Sequence, residues 1–383
     1  MIGLEKGLAQ VTMGNTVNSI IGAGFWLFIG SIISVVDYGK INYYLSTASF
    51  LSTFSILGLN TVVTSFSAKG NEKLKFQANF VALLSNTVFL VGLSVFLQNV
   101  PTLLLLIGLS FYTMSWAEML AKKDYKKYAI TVISVRIVQL SLSLILYFVI
   151  GTDGLILGFA LSAIIFGYNF FKSFKAFSLS FGELKQKTRF IIHSYSNSIS
   201  NGITIFADKL VIAPLFGFGI LGLYQISFQF LMFLSVIPMS IFQFLLPRMS
   251  SEKEKRKYAA IGIATASAFS IVFFFEIPNI IKLYFPHFAE SIESAQIMVF
   301  GSIPMTANAI IISILFGSDK SKAIFIAAII YVAIFAILIS VLGREMGVVG
   351  LAISLVASQT VQTAALTVAY RFPMGRKRND NQR

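Results

Sequence analysis

Five polar side chains lie within one long apolar stretch, residues 190–214, and they are the first candidates for chemistry. They are His193, Asn197, Asn201, Thr204 and Asp208. At about 100° per residue, all five fall on one side of a helix. Such a stripe is costly in lipid unless it faces other helices or a watery cavity. We therefore predict that the amides bind substrate and that Asp208 and His193 form a gate or coupling site.

The deepest charge in the sequence is Arg136, nine residues after Lys127 at the start of another apolar run. At about 1.5 Å per helical residue, it lies close to the middle of a bilayer. Gln139 follows on the same side of the predicted helix. A guanidinium there needs a partner. It would be either an anionic substrate group, best a phosphate, or an internal group such as Glu118 or backbone carbonyls.

Asn15 and Asn18 place amides in the first apolar run, where they are expected to join Gln139, Asn197 and Asn201 in a substrate cavity. Amide groups both donate and accept hydrogen bonds, as sugar hydroxyls require. We therefore predict a cavity in which Arg136 binds a phosphate and these amides bind sugars.

Lys209 is adjacent to Asp208 on the same predicted helix. Successive helical residues point about 100° apart, so the two side chains are not expected to pair. The expectation for Lys209 is that it extends to the outer lipid headgroups, as long basic side chains often do near helix ends.

The sequence contains no motif of an enzyme, such as a glycine-rich phosphate loop or a nucleophile elbow, and no cysteine. One weak metal-like group, His287 with Glu290 and Glu293, lies in a predicted outer loop, residues 276–293, without helical spacing. We therefore expect no catalytic residue, no metal site and no cofactor.

The composition indicates a membrane protein: 56% of residues are hydrophobic and 12% are charged, against about 25% charged in soluble domains. At about 20 residues per span, the chain has room for twelve helices. The apolar runs cover residues 10–35, 41–66, 76–97, 100–120, 127–150, 152–175, 190–214, 220–246, 258–281, 294–317, 322–343 and 346–370.

The basic residues support this topology, because they accumulate in alternate loops. Of the 30 Lys and Arg residues, all lie on one predicted side except Lys40, Arg136, Lys209, Lys282 and Arg344. Basic loops face the cytoplasm, so both termini are predicted to be cytoplasmic in a multi-pass protein of the cell membrane. The net charge of +14 is then explained by contact with anionic lipid, and no nucleic-acid partner is expected.

The longest basic connection divides the chain into two predicted six-helix lobes, residues 1–178 and 190–383, with a cytoplasmic linker at 179–189 and a short basic tail. Aligning Gly39 with Gly222 also aligns Asn18 with Asn201. An even number of spans per half makes such repeats parallel, related by an axis along the membrane normal.

The sequence resembles the polysaccharide-transporter branch of the multidrug/oligosaccharidyl-lipid/polysaccharide exporter superfamily. The resemblance is carried by four segments: Asp37-Tyr38-Gly39 with Tyr43, ILGLNTVVTSFSAKG at 56–70, Asp208-Lys209 with Gly222-Leu223-Tyr224, and Phe244-Leu245-Leu246-Pro247. It implies an all-α, MATE-like V shape of two six-helix lobes around a central cavity. It also implies a flippase that moves lipid-linked oligosaccharides on a polyprenyl (pyro)phosphate carrier, with membrane lipid and a coupling cation or proton as partners.

Two alternative functions stay open. One is a multidrug-type cation antiporter of the same fold. Such a protein needs an acidic cavity for cationic drugs, whereas the deepest charge here is basic. The other is a membrane-embedded glycan transferase, for which the loop at 276–293 is the only candidate site.

Overall fold

The computed structural model describes residues 2–67, 71–176, 180–245, 252–317 and 320–371, and these residues contain helices and no strand. The all-α fold class is confirmed. The predicted basic tail after Arg371 and the residues Leu246-Pro247 lie outside the described part. The helices are α1 Ile2–Ile32, α2 Val35–Ser55, α3 Leu59–Phe66, α4 Glu72–Phe96, α5 Val100–Ala121, α6 Tyr125–Ile150, α7 Thr152–Phe166, α8 Asn169–Lys172, α9 Gly182–Lys185, α10 Thr188–Leu245, α11 Glu252–Tyr284, α12 Ile292–Met298, α13 Ser302–Gly317 and α14 Ser321–Arg371.

The described helices include nine that are long and apolar enough to cross a membrane, or ten if the bent pair α2 and α3 counts as one span. Two of the nine, Thr188–Val236 and Lys322–Arg371, have 49 and 50 residues, and each contains a non-helical glycine. Dividing each at its glycine would give the twelve spans of the sequence prediction. The chain is a multi-pass membrane protein, and the number twelve stays a prediction.

The α10 helix folds back on itself at Gly217, which has a φ of 84° that side-chain-bearing residues rarely adopt. The Tyr224 hydroxyl donates to the Asp208 carboxylate over 2.7 Å, although sixteen residues separate them. In a continuous helix that separation would be about 24 Å. The predicted spans 190–214 and 220–246 therefore form a helical hairpin with its turn at Gly217, and α14 has an equivalent non-helical residue at Gly347.

Short polar caps begin several of the helices, because the first backbone N–H groups of a helix have no partner within it. Ser34 accepts from the backbone N–H of Asp37 over 3.1 Å at the start of α2. Asn71, Asn99 and Asp124 cap α4, α5 and α6 in the same way. These caps fix where each membrane-crossing run begins.

The second half of α10 crosses α2 at two glycines, Gly39 and Gly222. A Cβ on Gly39 would collide with the carbonyl oxygen of Phe218, and a Cβ on Gly222 would collide with that of Val35. The alignment of Gly39 with Gly222 also pairs Val35 with Phe218. The contact is thus reciprocal, as a two-fold axis between parallel repeats requires. We call the end of the molecule with this crossing and the turns at Gly217 and Gly347 the hairpin end, and the opposite end the basic end.

The hydrophobic core is shared at the hairpin end and divided elsewhere. The largest buried cluster joins both halves of the chain; for example, the rings of Tyr38 and Phe288 meet edge to face at 5.5 Å. Two smaller clusters lie apart from it: one around Leu59 and Leu74 in the first half, against which Phe190 and Ile191 of α10 also pack, and one around Leu315 in the second half. The first turns of α10 also pack on the first half, where the Ser194 hydroxyl donates to the Gly58 carbonyl over 3.0 Å.

Candidate functional site

A central cavity of about 470 Å³ lies between α1, α2, α6, α10 and α13. Apolar atoms supply most of the area of its wall, as in ligand pockets generally, although ten of its nineteen lining residues are polar or charged. The residues that line it are Asn15, Thr16, Ser19, Gly22, Ala23, Trp26, Asn42, Ser46, Arg136, Ile205, Phe206, Lys209, Gln225, Phe228, Gln229, Met232, Ser235, Val236 and Met305.

Arg136 is half-buried in this wall and is oriented by two amides. Its Nε donates to the Asn18 side-chain oxygen over 2.9 Å, and its Nη1 donates to the Gln139 side-chain oxygen over 2.9 Å. A guanidinium has five N–H donors, so three stay available. No carboxylate in the described residues pairs with it. The guanidinium is held in place from one side and faces the cavity with its charge unmatched.

Glu118, the internal partner considered for Arg136, lies elsewhere. Its carboxylate accepts from Lys75 and Lys122, both at 2.7 Å. The hydrogen bond from Lys122 to Glu118 raises the pKa of Lys122 above its ordinary value. Glu118 is thus neutralised by two lysines and does not compensate Arg136.

The other sequence-predicted residues divide into two groups. Asn15, Asn18 and Gln139 are at or beside the cavity, and the Asn15 side-chain oxygen also accepts from the Tyr128 hydroxyl over 3.0 Å. Asn197, Asn201 and His193 do not line it, and His193 and Asn201 are exposed. None of the five polar residues of the stripe, Thr204 and Asp208 included, lines the central cavity; α10 reaches its wall with Ile205, Phe206 and Lys209, which lie off the stripe.

Asp208 and Lys209 form a buried ion pair, so the prediction that these neighbours do not pair is wrong. The Lys209 ammonium lies 2.9 Å and 3.0 Å from the two Asp208 oxygens and also donates to the Ile205 carbonyl over 3.0 Å. It lies 4.0 Å from the centre of the Phe228 ring. The long side chain folds back along its own helix, which the 100° rule for side-chain direction does not exclude.

The expectation that Lys209 reaches the outer headgroups is also wrong, because only 4% of the residue is exposed. The hairpin at Gly217 covers this part of α10 with Tyr224 and Phe228. Lys209 lines the central cavity, and Asp208 lies behind it, bonded to Tyr224.

We expect Asp208→Asn to destabilise the protein strongly, because it leaves the buried Lys209 ammonium without a counter-charge. Breaking one partner of a buried pair costs about 3–5 kcal/mol. The double variant Asp208→Asn/Lys209→Met should recover most of the loss, since it removes both charges. Thermal unfolding in detergent measures both, and a single variant no less stable than the double would contradict this role.

Five buried polar residues of the cavity were missed by the sequence reasoning: Asn42, Ser46, Gln225, Gln229 and Ser235. The signal was present for four of them, because the alignment of Gly39 with Gly222 pairs Asn42 with Gln225 and Ser46 with Gln229. The side-chain oxygen of Gln225 is buried and has no hydrogen-bond partner within the described chain.

The region of the predicted outer loop, residues 276–293, is helical instead. The α11 helix continues to Tyr284, and a 3₁₀ helix covers Pro286–Ser291 with Phe288 buried. The described residues hold no group of three His, Asp or Glu side chains close enough to bind a metal.

Comparisons with known proteins give matches in structure alone. No family model matches the sequence, and no curated protein matches it. A structure of the lipid II flippase MurJ in an inward closed conformation superposes with a TM-score of 0.76 at 12% identity, covering 94% of this chain and 87% of that one. An inward-facing multidrug resistance MATE family transporter of the MOP superfamily gives 0.67 at 12% identity, covering 96% and 97%.

A MOP superfamily transporter from Pyrococcus furiosus, with a binding pocket described as reversed in polarity, gives a TM-score of 0.58 at 10% identity, covering 96% and 95%. Each likeness extends over nearly the whole chain, and each identity is too low to carry more than the fold. The chain has the helical fold shared by these lipid II flippase and MATE transporter structures.

Proposed function

We propose that this protein is a flippase or exporter that moves a polyprenyl-(pyro)phosphate-linked oligosaccharide or polysaccharide precursor across the cytoplasmic membrane by alternating access. The observation that carries the proposal is Arg136, a guanidinium fixed by Asn18 and Gln139 and directed at the central cavity, with no acidic partner in the part of the chain that the structure describes. A fork of three remaining donors suits the oxygens of a phosphate.

The charges around the cavity favour an anion. Arg136 and Lys209 line it, and no Asp or Glu is among the described lining residues. Lys209 is already compensated by Asp208, so Arg136 supplies the net positive charge. In a low-dielectric wall, an unmatched charge is costly until a counter-charge arrives. A phosphate group in the cavity would remove that cost.

The remaining wall suits a glycan. Asn42, Ser46, Gln225 and Gln229 add amide and hydroxyl groups, which can both donate to and accept from sugar hydroxyls. Trp26 and Phe228 add apolar faces. The lipid tail would stay in the bilayer while the phosphate and sugars cross between the two halves of the chain.

The two alternatives are less well supported. A cation antiporter needs acidic groups in its cavity, and Asp208 is bonded to Lys209 and Tyr224 behind the wall. A glycan transferase needs acids and histidine at a membrane face, and the helical region 276–293 brings no such cluster together. We retain Asp208 and His193 as candidate gate or coupling residues for a cation or proton, with both termini in the cytoplasm.

A reconstituted vesicle assay tests the proposed function. A polyprenyl-pyrophosphate-linked oligosaccharide is placed in both leaflets, and an impermeant glycosidase is added outside. In protein-free vesicles about half of the glycan is protected, whereas active protein should make nearly all of it accessible, because flipping carries inner molecules outward. Uptake of a cationic dye is measured in parallel. Protection of half of the glycan together with rapid dye transport would overturn the proposal in favour of the antiporter.

A further inference from the structure

A second cavity of about 260 Å³ lies beside the central one, between α2, α3, α5 and α10. Its lining holds no charged residue among those described, and it is rich in hydroxyl groups from Ser49, Ser52, Thr53, Thr113 and Ser198. Ligand pockets start at about 300 Å³, so this chamber is of a size for one small ring rather than a chain of sugars. We call it the hydroxyl chamber.

Four polar side chains of the hydroxyl chamber have no hydrogen-bond partner in the described part of the chain. Ser49, Asn60, Thr113 and Ser198 make no side-chain hydrogen bond within the described chain, whereas Ser52 is bonded to Ser110 over 3.1 Å. All four side chains are half-buried. Four open groups around one small space can bond to water or to a polar, uncharged ligand that displaces it.

Phe206 lines both cavities and so stands between them. The alignment of Gly39 with Gly222 pairs Phe206 with Ala23, and it pairs Ser198 with Asn15. Ala23 and Asn15 both line the central cavity. On that side of the two-fold axis a small residue leaves the space continuous. On the other side the phenyl ring closes off the equivalent space.

The lining of the two chambers differs in chemistry as well as in place. The central cavity has an unmatched guanidinium, whereas the hydroxyl chamber has neutral donors and acceptors with the apolar faces of Ile56 and Leu109. A phosphate finds a counter-charge and charge-assisted hydrogen bonds in the first, but only neutral donors in the second. A pyranose ring has hydroxyl edges and apolar faces, so it matches the second.

We infer that the hydroxyl chamber is a binding site for an uncharged sugar ring of the same substrate whose phosphate lies at Arg136, with Phe206 as the partition between the two subsites. The inference rests on the proposed function and adds a second, separate subsite to it. Turning the Phe206 ring aside connects the chambers, so one molecule occupies both.

Binding of two probes to the purified protein tests the inference. One probe is a polyprenyl pyrophosphate without sugar, and the other carries a neutral oligosaccharide. Ser49→Ala/Thr113→Val removes two open hydroxyls with little change in volume. It should weaken binding of the glycosylated probe about tenfold and leave the bare probe unchanged. Thr360→Val, at an exposed threonine of α14, is the matched control.

The outcomes are distinguishable from failure of the proposed function. If the wild-type protein binds neither probe, both proposals fall. If it binds both probes and the chamber variant weakens both equally or neither, the proposed function stands and the hydroxyl chamber is not a sugar site.

A second measurement does not depend on affinity. The chain contains no cysteine, so Thr113→Cys introduces the only thiol. The glycosylated probe should slow labelling of that thiol by a small polar reagent at least about fivefold, and the bare probe should not. Equal labelling rates with both probes would overturn the inference even if the affinities differ.

Discussion

Arg136→Gln is expected to abolish flipping while leaving the protein folded and inserted. Glutamine keeps much of the polar shape but removes the charge and the fork that the proposed phosphate requires. Removing one partner of a buried charge pair costs about 2–5 kcal/mol, and each 1.4 kcal/mol is tenfold in affinity. Affinity for the bare polyprenyl pyrophosphate should therefore fall at least about thirtyfold, measured by binding to purified protein and by the vesicle assay.

Two control variants separate charge from geometry. Arg136→Lys keeps the charge but loses the bidentate fork, so it should bind the probe more weakly than wild type and more tightly than Arg136→Gln. Arg344→Gln removes an exposed arginine of α14 outside the cavity and should change nothing. Normal transport by a well-folded Arg136→Gln variant would show that Arg136 does not bind substrate. Its hydrogen bond to Asn18 would then have a structural role.

Stability measurements complete that argument, because a structural role predicts a different pattern. Without a ligand, the guanidinium has hydrogen bonds to Asn18 and Gln139 but no carboxylate partner among the described residues. Its replacement by glutamine, which keeps an amide donor, should therefore not lower the unfolding temperature. Loss of binding without loss of stability is the signature of a ligand site. Loss of both together would indicate that Arg136 holds α6 to α1.

Much of the site could be predicted from the sequence, because a charged residue within a long apolar run is easy to recognise. Arg136 and Gln139 share a side of one predicted helix, and the structure places them in direct contact. The alignment around Gly39 and Gly222 placed Asn18 in the predicted cavity wall, and Asn18 is the second partner of the guanidinium. Periodicity and repeat symmetry thus located the polar centre without any contact information.

The surroundings of the polar stripe on α10 were harder to predict, because the position of a polar side on a helix does not identify the helix that packs against it. His193, Asn197 and Asn201 share that side, yet the hairpin at Gly217 covers Asp208 with Tyr224 while leaving His193 exposed. The direction of the Cβ atoms on the helix also gave a wrong prediction for Lys209, because its flexible side chain bends back and its ammonium contacts the carboxylate of the preceding residue. Such contacts depend on the tertiary packing of a hairpin, which a periodicity argument does not contain.

A cross-link between Val36 and Gly219 is expected to stop transport completely and reversibly. At the hairpin end, a Cβ built on Gly219 lies 3.9 Å from the Cγ2 of Val36, the position that a cysteine sulfur would take. A disulfide places each Cβ about 3 Å from the partner sulfur, so Val36→Cys/Gly219→Cys should oxidise after an approach of about 1 Å. The absence of native cysteine makes the pair specific. Gel mobility after cleavage of an introduced protease site between them would report the bond.

The expected block follows from the packing at the crossing. The backbones of α2 and the second half of α10 approach so closely that neither Gly39 nor Gly222 could carry a Cβ without displacing the other helix. No glycan passes through such a contact, so alternating access requires the crossing to open once per cycle. Oxidation should reduce flipping to the protein-free level, and a reductant should restore it. Each single-cysteine variant should transport normally under oxidant. A fully cross-linked protein that still flips its substrate would show that the crossing is a fixed hinge, with release on another path.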